Sequence, residues 1–274
     1  MNQLLLSSYV QLFSCIQSKI GATGNRACLK KEYALLFNKI LNDCVACIIL
    51  TNGIPNTLTL PCAAAPEMIM RSINESVITL KYLIKYSTDP DKLEQYKDNA
   101  FIERLKDIAK SLQYGFYDDM DHTKLLDITE KIIKKRGPDL QREELLDFNK
   151  LRKISYFPDY RACVKDLKDD FTSSDFVGVY LTAYSIGSQL IHANPLSIVE
   201  HYFGEIIFAD TLPFSGDSIL QGTLHSLLVS SNDIDKLLVT TIDLANTEEF
   251  KELYRLLYPS TTIQNSEKIS LQST

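Results

Sequence analysis

Ile69-Met70-Arg71-Ser72-Ile73-Asn74-Glu75-Ser76-Val77-Ile78-Thr79-Leu80-Lys81-Tyr82-Leu83-Ile84-Lys85 is the stretch that decides the fold class. At 100° per residue, Ile69, Ile73, Val77, Leu80 and Ile84 fall within roughly 80° of one another, the apolar stripe of an α-helix. Asn74, Lys81 and Lys85 gather at about 120–160° from the start and form a narrow solvent strip. Arg71, Glu75, Ile78 and Tyr82 make a second face at roughly 180–240°. A helix with two semi-apolar faces and so little solvent face belongs in the interior of a bundle. It spans about Pro66 to Tyr86. Arg71 and Glu75 are i,i+4 neighbours, close enough to pair. Such a pair either faces a cleft, ready for chemistry, or is an intrahelical ion pair that orders the bundle interior or sits at its rim.

Working outward, the same helical period fills nearly the whole chain. One helix runs to about Ile20 and stops at Gly21-Ala-Thr-Gly-Asn25, and a second spans about Arg26 to Leu50. Asp89-Pro90 offers an N-cap followed by proline at the first helical position, launching a helix to about Leu112. Further helices are expected at 121–136, stopped by Gly137-Pro138, at 139–154 and at 159–169. An uncharged helix capped by Ser173-Ser174-Asp175 ends at Asn194-Pro195, and others follow near 196–209, 216–231, 233–245 and 247–258. No alternating runs bounded by hairpin turns occur. The expected fold is all-α: a multi-helix bundle forming one domain over 1–258, with its core at about 26–210, additional C-terminal helices, and a flexible polar tail at 259–274.

The 274 residues are 45% apolar and 23% charged, the composition of an ordinary globule with a substantial core. The net charge of −6 is unevenly spread. Residues 1–80 carry +2; residues 81–170 hold 19 basic and 19 acidic side chains; residues 171–274 carry −8. The middle third therefore reads as solvated, ion-paired helices, and a binder working by bulk positive charge is excluded. The first positive charge is Lys19, so no secretory leader is expected and the cytoplasm is the expected compartment. Two uncharged stretches, Cys44 to Pro66 and Phe176 to Val199, are interrupted by Asn, Gly, Pro or His and read as buried segments, not membrane spans. Cys44 and Cys47 form a C-x-x-C without a second ligand pair nearby, so buried free thiols are expected there, with no metal and no cofactor.

The uncharged helix carries a second candidate site. Tyr180, Tyr184, Gly187 and Ile191 form one stripe, while Ser185, Ser188 and His192 lie beside it. His192 falls in the last helical turn, where backbone carbonyls favour the protonated ring. It reads either as an acid/base with hydroxyl partners or as a core histidine satisfied by a serine or a helix-end carbonyl.

These residues resemble a known family. Met70-Arg71 through Glu75, continued by Val77, Leu80 and Lys81-Tyr82-Leu83, looks like the Arg-x3-Glu helix of a bacterial all-helical family catalogued as a domain of unknown function. Pro158, Arg161, Tyr180, Tyr184-Ser185 and His192-Ala-Asn-Pro195 resemble its later Pro…Arg…Tyr…Tyr…Ser…His segment in order and spacing. The likeness covers about residues 30–210. That family is distantly similar to the HEPN-type bundles, many of them metal-independent ribonucleases of toxin and phage-defence systems. The resemblance implies an HEPN-like core, a homodimer and a composite cleft. In that cleft Arg71 steadies a phosphate, Glu75 orients Arg71 or a water, His192 is the acid/base, and Ser185 and Tyr180 position the group attacked. The chain departs from the nucleases in one respect: no histidine follows an arginine at the four-to-six-residue gap they use.

No nucleotide-binding glycine loop, no Gly-x-Ser-x-Gly elbow and no paired-histidine metal motif is present. The basic run Lys131, Lys134, Lys135, Arg136 is flanked by Asp127, Glu130 and Asp139 and reads as a solvated helix end complementing the dipole. The leading functional expectation is an effector of a bacterial conflict system, a metal-independent ribonuclease with RNA as partner. The alternatives are a non-catalytic module that binds a protein or a small signal, and a hydrolase or transferase acting on a phosphorylated metabolite.

Overall fold

The computed structural model describes residues 31–52, 64–115 and 122–168, together with 222, 223, 225–227, 229, 230 and 233. Every regular element among them is helical: α1 (Lys31–Asn52), α2 (Ala64–Lys85), α3 (Pro90–Gln113), α4 (Thr123–Arg136), a 3-10 segment (Arg142–Leu146), α5 (Phe148–Leu151) and α6 (Tyr160–Leu167). The fold is all-α, as the periodicity requires. The helices expected before Ile20, at 174–193, 196–209 and 247–258, and the tail at 259–274 lie outside the described residues. The described positions at 222–230 are helical, within the helix expected at 216–231. By internal packing the chain divides into two compact units, Met1–Lys81 with Leu167–Thr274, and Tyr82–Asp166.

In the first unit α1 buries Tyr33, Leu36, Phe37, Ile40, Leu41, Cys44, Cys47 and Ile48, a three-four spacing that defines one helical face. Cys47 Sγ lies 3.7 Å from the Pro66 carbonyl, while Lys39, two turns earlier, reaches Ser72 and Ser76. The end of α1 thus meets the start of α2, and the two helices run antiparallel. The 222–233 segment runs the other way. Thr223 Oγ1 donates to Met70 Sδ at 3.1 Å, and Asp233 forms an ion pair with Lys81 at 2.8 Å. Thr223 precedes Asp233 as Met70 precedes Lys81, so these described positions follow α2 in the same direction. A Cβ placed on Gly222 would stand 3.0 Å from Met70 Cε; its absence lets the backbones close up there.

This packing corrects one sequence expectation. Ile73, Val77 and Leu80 are fully buried as expected, but Asn74 is buried too, and Lys81 is turned inward onto a nearly buried Asp233. Of the expected solvent strip only Lys85 is exposed. A periodicity reading assigns a lysine to water by default; here a carboxylate from a segment far along the chain supplies the countercharge.

In the second unit Asp89 caps α3, its carboxylate accepting from the Asp91 N–H at 3.0 Å, with Pro90 as the first helical residue. The core gathers Ile102, Leu105, Ala109, Ile133, Leu145, Leu151 and Ile154. Arg136, at the end of α4, pairs with Asp91 and Asp98 near the start of α3, and Lys135 with Glu94, so α3 and α4 are antiparallel. Gly137 closes α4 at φ +82°, a left-handed backbone that suits glycine. The single helix expected at 139–154 is broken in two. Asp147 adopts an extended backbone and its carboxylate takes the Asn149 N–H at 2.9 Å, which ends the 3-10 segment and starts α5. At the unit's far end Lys85 and Tyr86 both donate to Asp166.

Two outcomes follow from these ion pairs. Asp233→Ala removes the carboxylate 2.8 Å from the inward-turned Lys81 ammonium and is expected to cost about 3 kcal/mol, most of which Lys81→Met in the same chain restores; an unchanged thermal midpoint for the single variant would refute the role given to the pair. In the second unit the neighbouring cations Arg136, Lys135, Lys134, Lys150 and Lys85 hold Asp91, Glu94, Glu130, Glu144 and Asp166 respectively below their ordinary range. A carboxylate depressed by folding stabilises the native state above its unfolded pKa, about 4, and that contribution is lost as pH falls through the folded value. Stability is therefore expected to fall as pH drops from about 5 toward 2, and Arg136→Met to make that fall shallower, as measured by thermal unfolding across the range.

Candidate functional site

Two successive turns of α2 carry the polar groups expected to do chemistry, and α1 supplies their neighbours. Arg71 and Glu75 are brought together: Nε donates to Oε1 at 3.2 Å. The arginine side chain is 17% exposed and the glutamate 44%, so the pair lies on the rim of the first unit with its cation mostly covered and its carboxylate in water. Tyr180, Ser185 and His192 lie outside the described residues.

Beside that pair is a cluster the sequence reading missed. Lys39 Nζ donates to Asp43 Oδ2 at 2.6 Å, to Ser72 Oγ at 2.6 Å and to Ser76 Oγ at 2.9 Å. Ser72 Oγ in turn donates to Asp43 Oδ2 at 3.0 Å. Ser76 gives its own proton to the Ser72 carbonyl at 2.8 Å. The one available signal was the i,i+4 spacing of Lys39 with Asp43 and of Ser72 with Ser76. Neither spacing says that the two pairs face each other, which depends on the antiparallel register of α1 and α2.

Cys44 and Cys47 are free thiols, fully buried on one face of α1. Cys47 Sγ lies 3.5 Å from Thr223 Oγ1, and Cys44 Sγ donates to the Thr223 carbonyl at 3.9 Å. Burial above all, with the neighbouring Cys47 and Asp43, pushes the Cys44 thiol well above the usual range. Cys163, buried beside Asp159 and Asp166, is pushed up to about 12. Both therefore stay protonated and unreactive at neutral pH. Among the described residues no three His, Cys, Asp or Glu side chains gather as metal ligands would.

Three of the four cations in the basic run at the end of α4 are ion-paired within the second unit. Lys134 pairs with Glu130, Lys135 with Glu94, and Arg136 with Asp91 and Asp98. Ion-paired in this way, the run complements the helix dipole and presents no concentrated positive field. One described helix, Glu32–Leu50 within α1, is long and apolar enough to cross a membrane by length and composition, a test that the core helix of a bundle also passes. It is not one of the two stretches the sequence reading weighed.

No curated protein and no solved structure matches the chain. A family model does, over residues 34–205, a range that takes in α1 from its second turn, all of α2 with Arg71 and Glu75, and the whole second unit. The chain belongs to that family, DUF5677, a family of unknown function.

Proposed function

We propose that the protein is an RNA-directed effector of a bacterial conflict system, a metal-independent ribonuclease built on an HEPN-like bundle and acting in the cytoplasm as a homodimer with a composite cleft. The observation that carries this reading is the Arg71–Glu75 pair. Glu75 accepts from Nε at 3.2 Å, which orients the guanidinium at the rim of the unit, the kind of planar cation that recognises a phosphodiester. In the proposed site Arg71 steadies a non-bridging phosphate oxygen and Glu75 keeps Arg71 in place. His192 exchanges the proton, with Ser185 and Tyr180 positioning the attacked group. The reading treats α1 as a bundle helix: one face is packed, and Lys39 and Asp43 lie midway along it.

A second reading, a non-catalytic interaction module, is favoured by a different observation. Leu35 and Ile49 are 57% and 62% exposed on α1. Fourteen residues apart, they fall on nearly the same side of the helix with Asn38, Lys39 and Asn42 exposed between them, two separate apolar side chains that a partner would cover.

The two readings part in one assay. The purified full chain, with a chelator present, is expected to degrade single-stranded RNA. His192→Ala and Arg71→Ala are each expected to lose about a hundredfold or more of that rate while keeping the wild-type circular dichroism spectrum. Intact RNA after incubation with the wild-type chain, or undiminished cleavage by His192→Ala, would remove the ribonuclease reading and leave the interaction module.

A further inference from the structure

We propose that the Lys39–Asp43–Ser72 cluster is a nucleophilic site, with Ser72 able to accept an acyl group from a carboxylic ester. This activity is separate from the RNA-directed one and uses none of its residues.

Most helical hydroxyls with a defined donation among the described residues bond within their own helix, Thr223 with its bond to Met70 Sδ being an exception. Ser76, Thr79, Thr129 and Ser230 each turn the hydroxyl back onto the carbonyl four residues earlier, at 2.7–2.8 Å. Ser72 does not. Its proton points across to another helix, onto Asp43 Oδ2, while its oxygen receives an N–H from Lys39. The hydroxyl is thus polarised from both sides, with a carboxylate to take its proton and an ammonium to stabilise negative charge on its oxygen. The carboxylate is itself held by the Lys39 ammonium at 2.6 Å. A nucleophile within hydrogen-bond reach of a base, and a base oriented by a third group, is the arrangement that activated serines require.

The site is accessible enough to be used. Ser72 is half-buried, while the Lys39 and Asp43 side chains are 47% and 27% exposed. Ser76 is nearly buried and acts as a positioning residue, taking the third N–H of Lys39 and steering the ammonium over Ser72.

Charge selects the class of substrate. Around Ser72 one ammonium and one carboxylate are in contact, so the local charge sums to zero. A phosphoryl group carrying one or two negative charges in flight finds no net compensation there. An uncharged ester carbonyl does fit, because it develops a single oxyanion and one ammonium N–H can meet it. An ester is also favoured over an amide, since its alkoxide leaving group departs with less protonation than an amine.

The step balances without a further reagent. Ser72 Oγ attacks the carbonyl carbon and its proton passes to Asp43. The carbonyl π pair moves onto oxygen, facing the Lys39 N–H released from Ser76. When the pair returns, the carbon–alkoxide bond breaks, and Asp43 gives its proton to the departing alcohol. The acyl-Ser72 ester is then hydrolysed by water, which Asp43 deprotonates in its turn.

The test is labelling of the intact chain with an alkyl fluorophosphonate, which phosphonylates activated serines with loss of fluoride and leaves ordinary surface serines alone. Trypsin releases Ser72 to Lys81 as one peptide, in which fragmentation separates Ser72 from Ser76 and Thr79. Stoichiometric label on Ser72 is expected, together with p-nitrophenyl acetate turnover that the label abolishes. Asp43→Asn and Lys39→Met are each expected to slow labelling about a hundredfold. Ser72→Ala is expected to end both labelling and turnover. Should that variant misfold, the position of the label in the wild-type chain decides alone. Absence of label when a serine esterase in the same tube is modified, or label on Ser76 or elsewhere, overturns the proposal. The assay contains no RNA, so its failure leaves the ribonuclease reading standing, and the reverse.

Discussion

A helix packed on several sides must find a partner for each polar side chain it buries, and α2 is under that constraint away from its Arg71–Glu75 rim. Asn74, Ser76 and Glu67 are buried, and Lys81 is turned inward. An uncompensated charge or amide in such a place costs several kcal/mol, comparable with the whole stability of a domain. The constraint therefore dictates what may pack beside α2. On one side α1 brings a lysine that satisfies Ser72 and Ser76 together. On another the 222–233 segment brings Thr223 to Met70 and Asp233 to Lys81. The parallel direction of that segment is itself a consequence, because only one orientation presents the threonine and the aspartate to both anchors.

The two units solve the problem of charge in opposite ways. The second unit pairs its cations and anions at the surface, where each pair is worth little alone and the networks around Arg136 and Asp166 act as groups. It holds an apolar cluster about Ile102, Leu105 and Leu145. The first unit has fewer charges and takes several of its polar groups inside. Buried polar contacts of this kind contribute modestly to net stability but penalise every misregistered packing, which is how a bundle of similar apolar faces can hold one arrangement. The candidate chemistry lies in the unit that takes this second course.

Local signals in the sequence were legible where local hydrogen bonds decide the outcome. Asp89-Pro90 announced the start of α3 and Gly137-Pro138 the end of α4, since a cap and a left-handed glycine act within one turn. The break at Asp147 was not read, although its cause is equally local: an aspartate among apolar neighbours looks like a solvent-facing helical residue until its carboxylate is seen to take a backbone N–H. Arg71 with Glu75 was legible because both sit on one helix. Lys39 with Ser72, and Lys81 with Asp233, were not, because nothing in a single sequence reports the register between helices. A polar residue on a helix wheel is assigned to water unless its distant partner is known. That default misplaced Asn74 and Lys81, and it passed over Ser72.

The extent of the family match gives the Lys81–Asp233 pair a wider meaning. Residues 34–205 carry the family resemblance, and Lys81 lies within that range while Asp233 lies beyond it. In this chain α2, which lies within the matched range, has its inward lysine paired with a residue the family model does not cover. Asp233 meets the inward Lys81 at 2.8 Å, and Thr223 and Ser226 are buried, so described residues beyond the matched range pack into the first unit. The acidic final third of the chain is thus more than an appended surface. One of its carboxylates, that of Asp233, is built into the first unit against the helix bearing Arg71, Ser72 and Glu75.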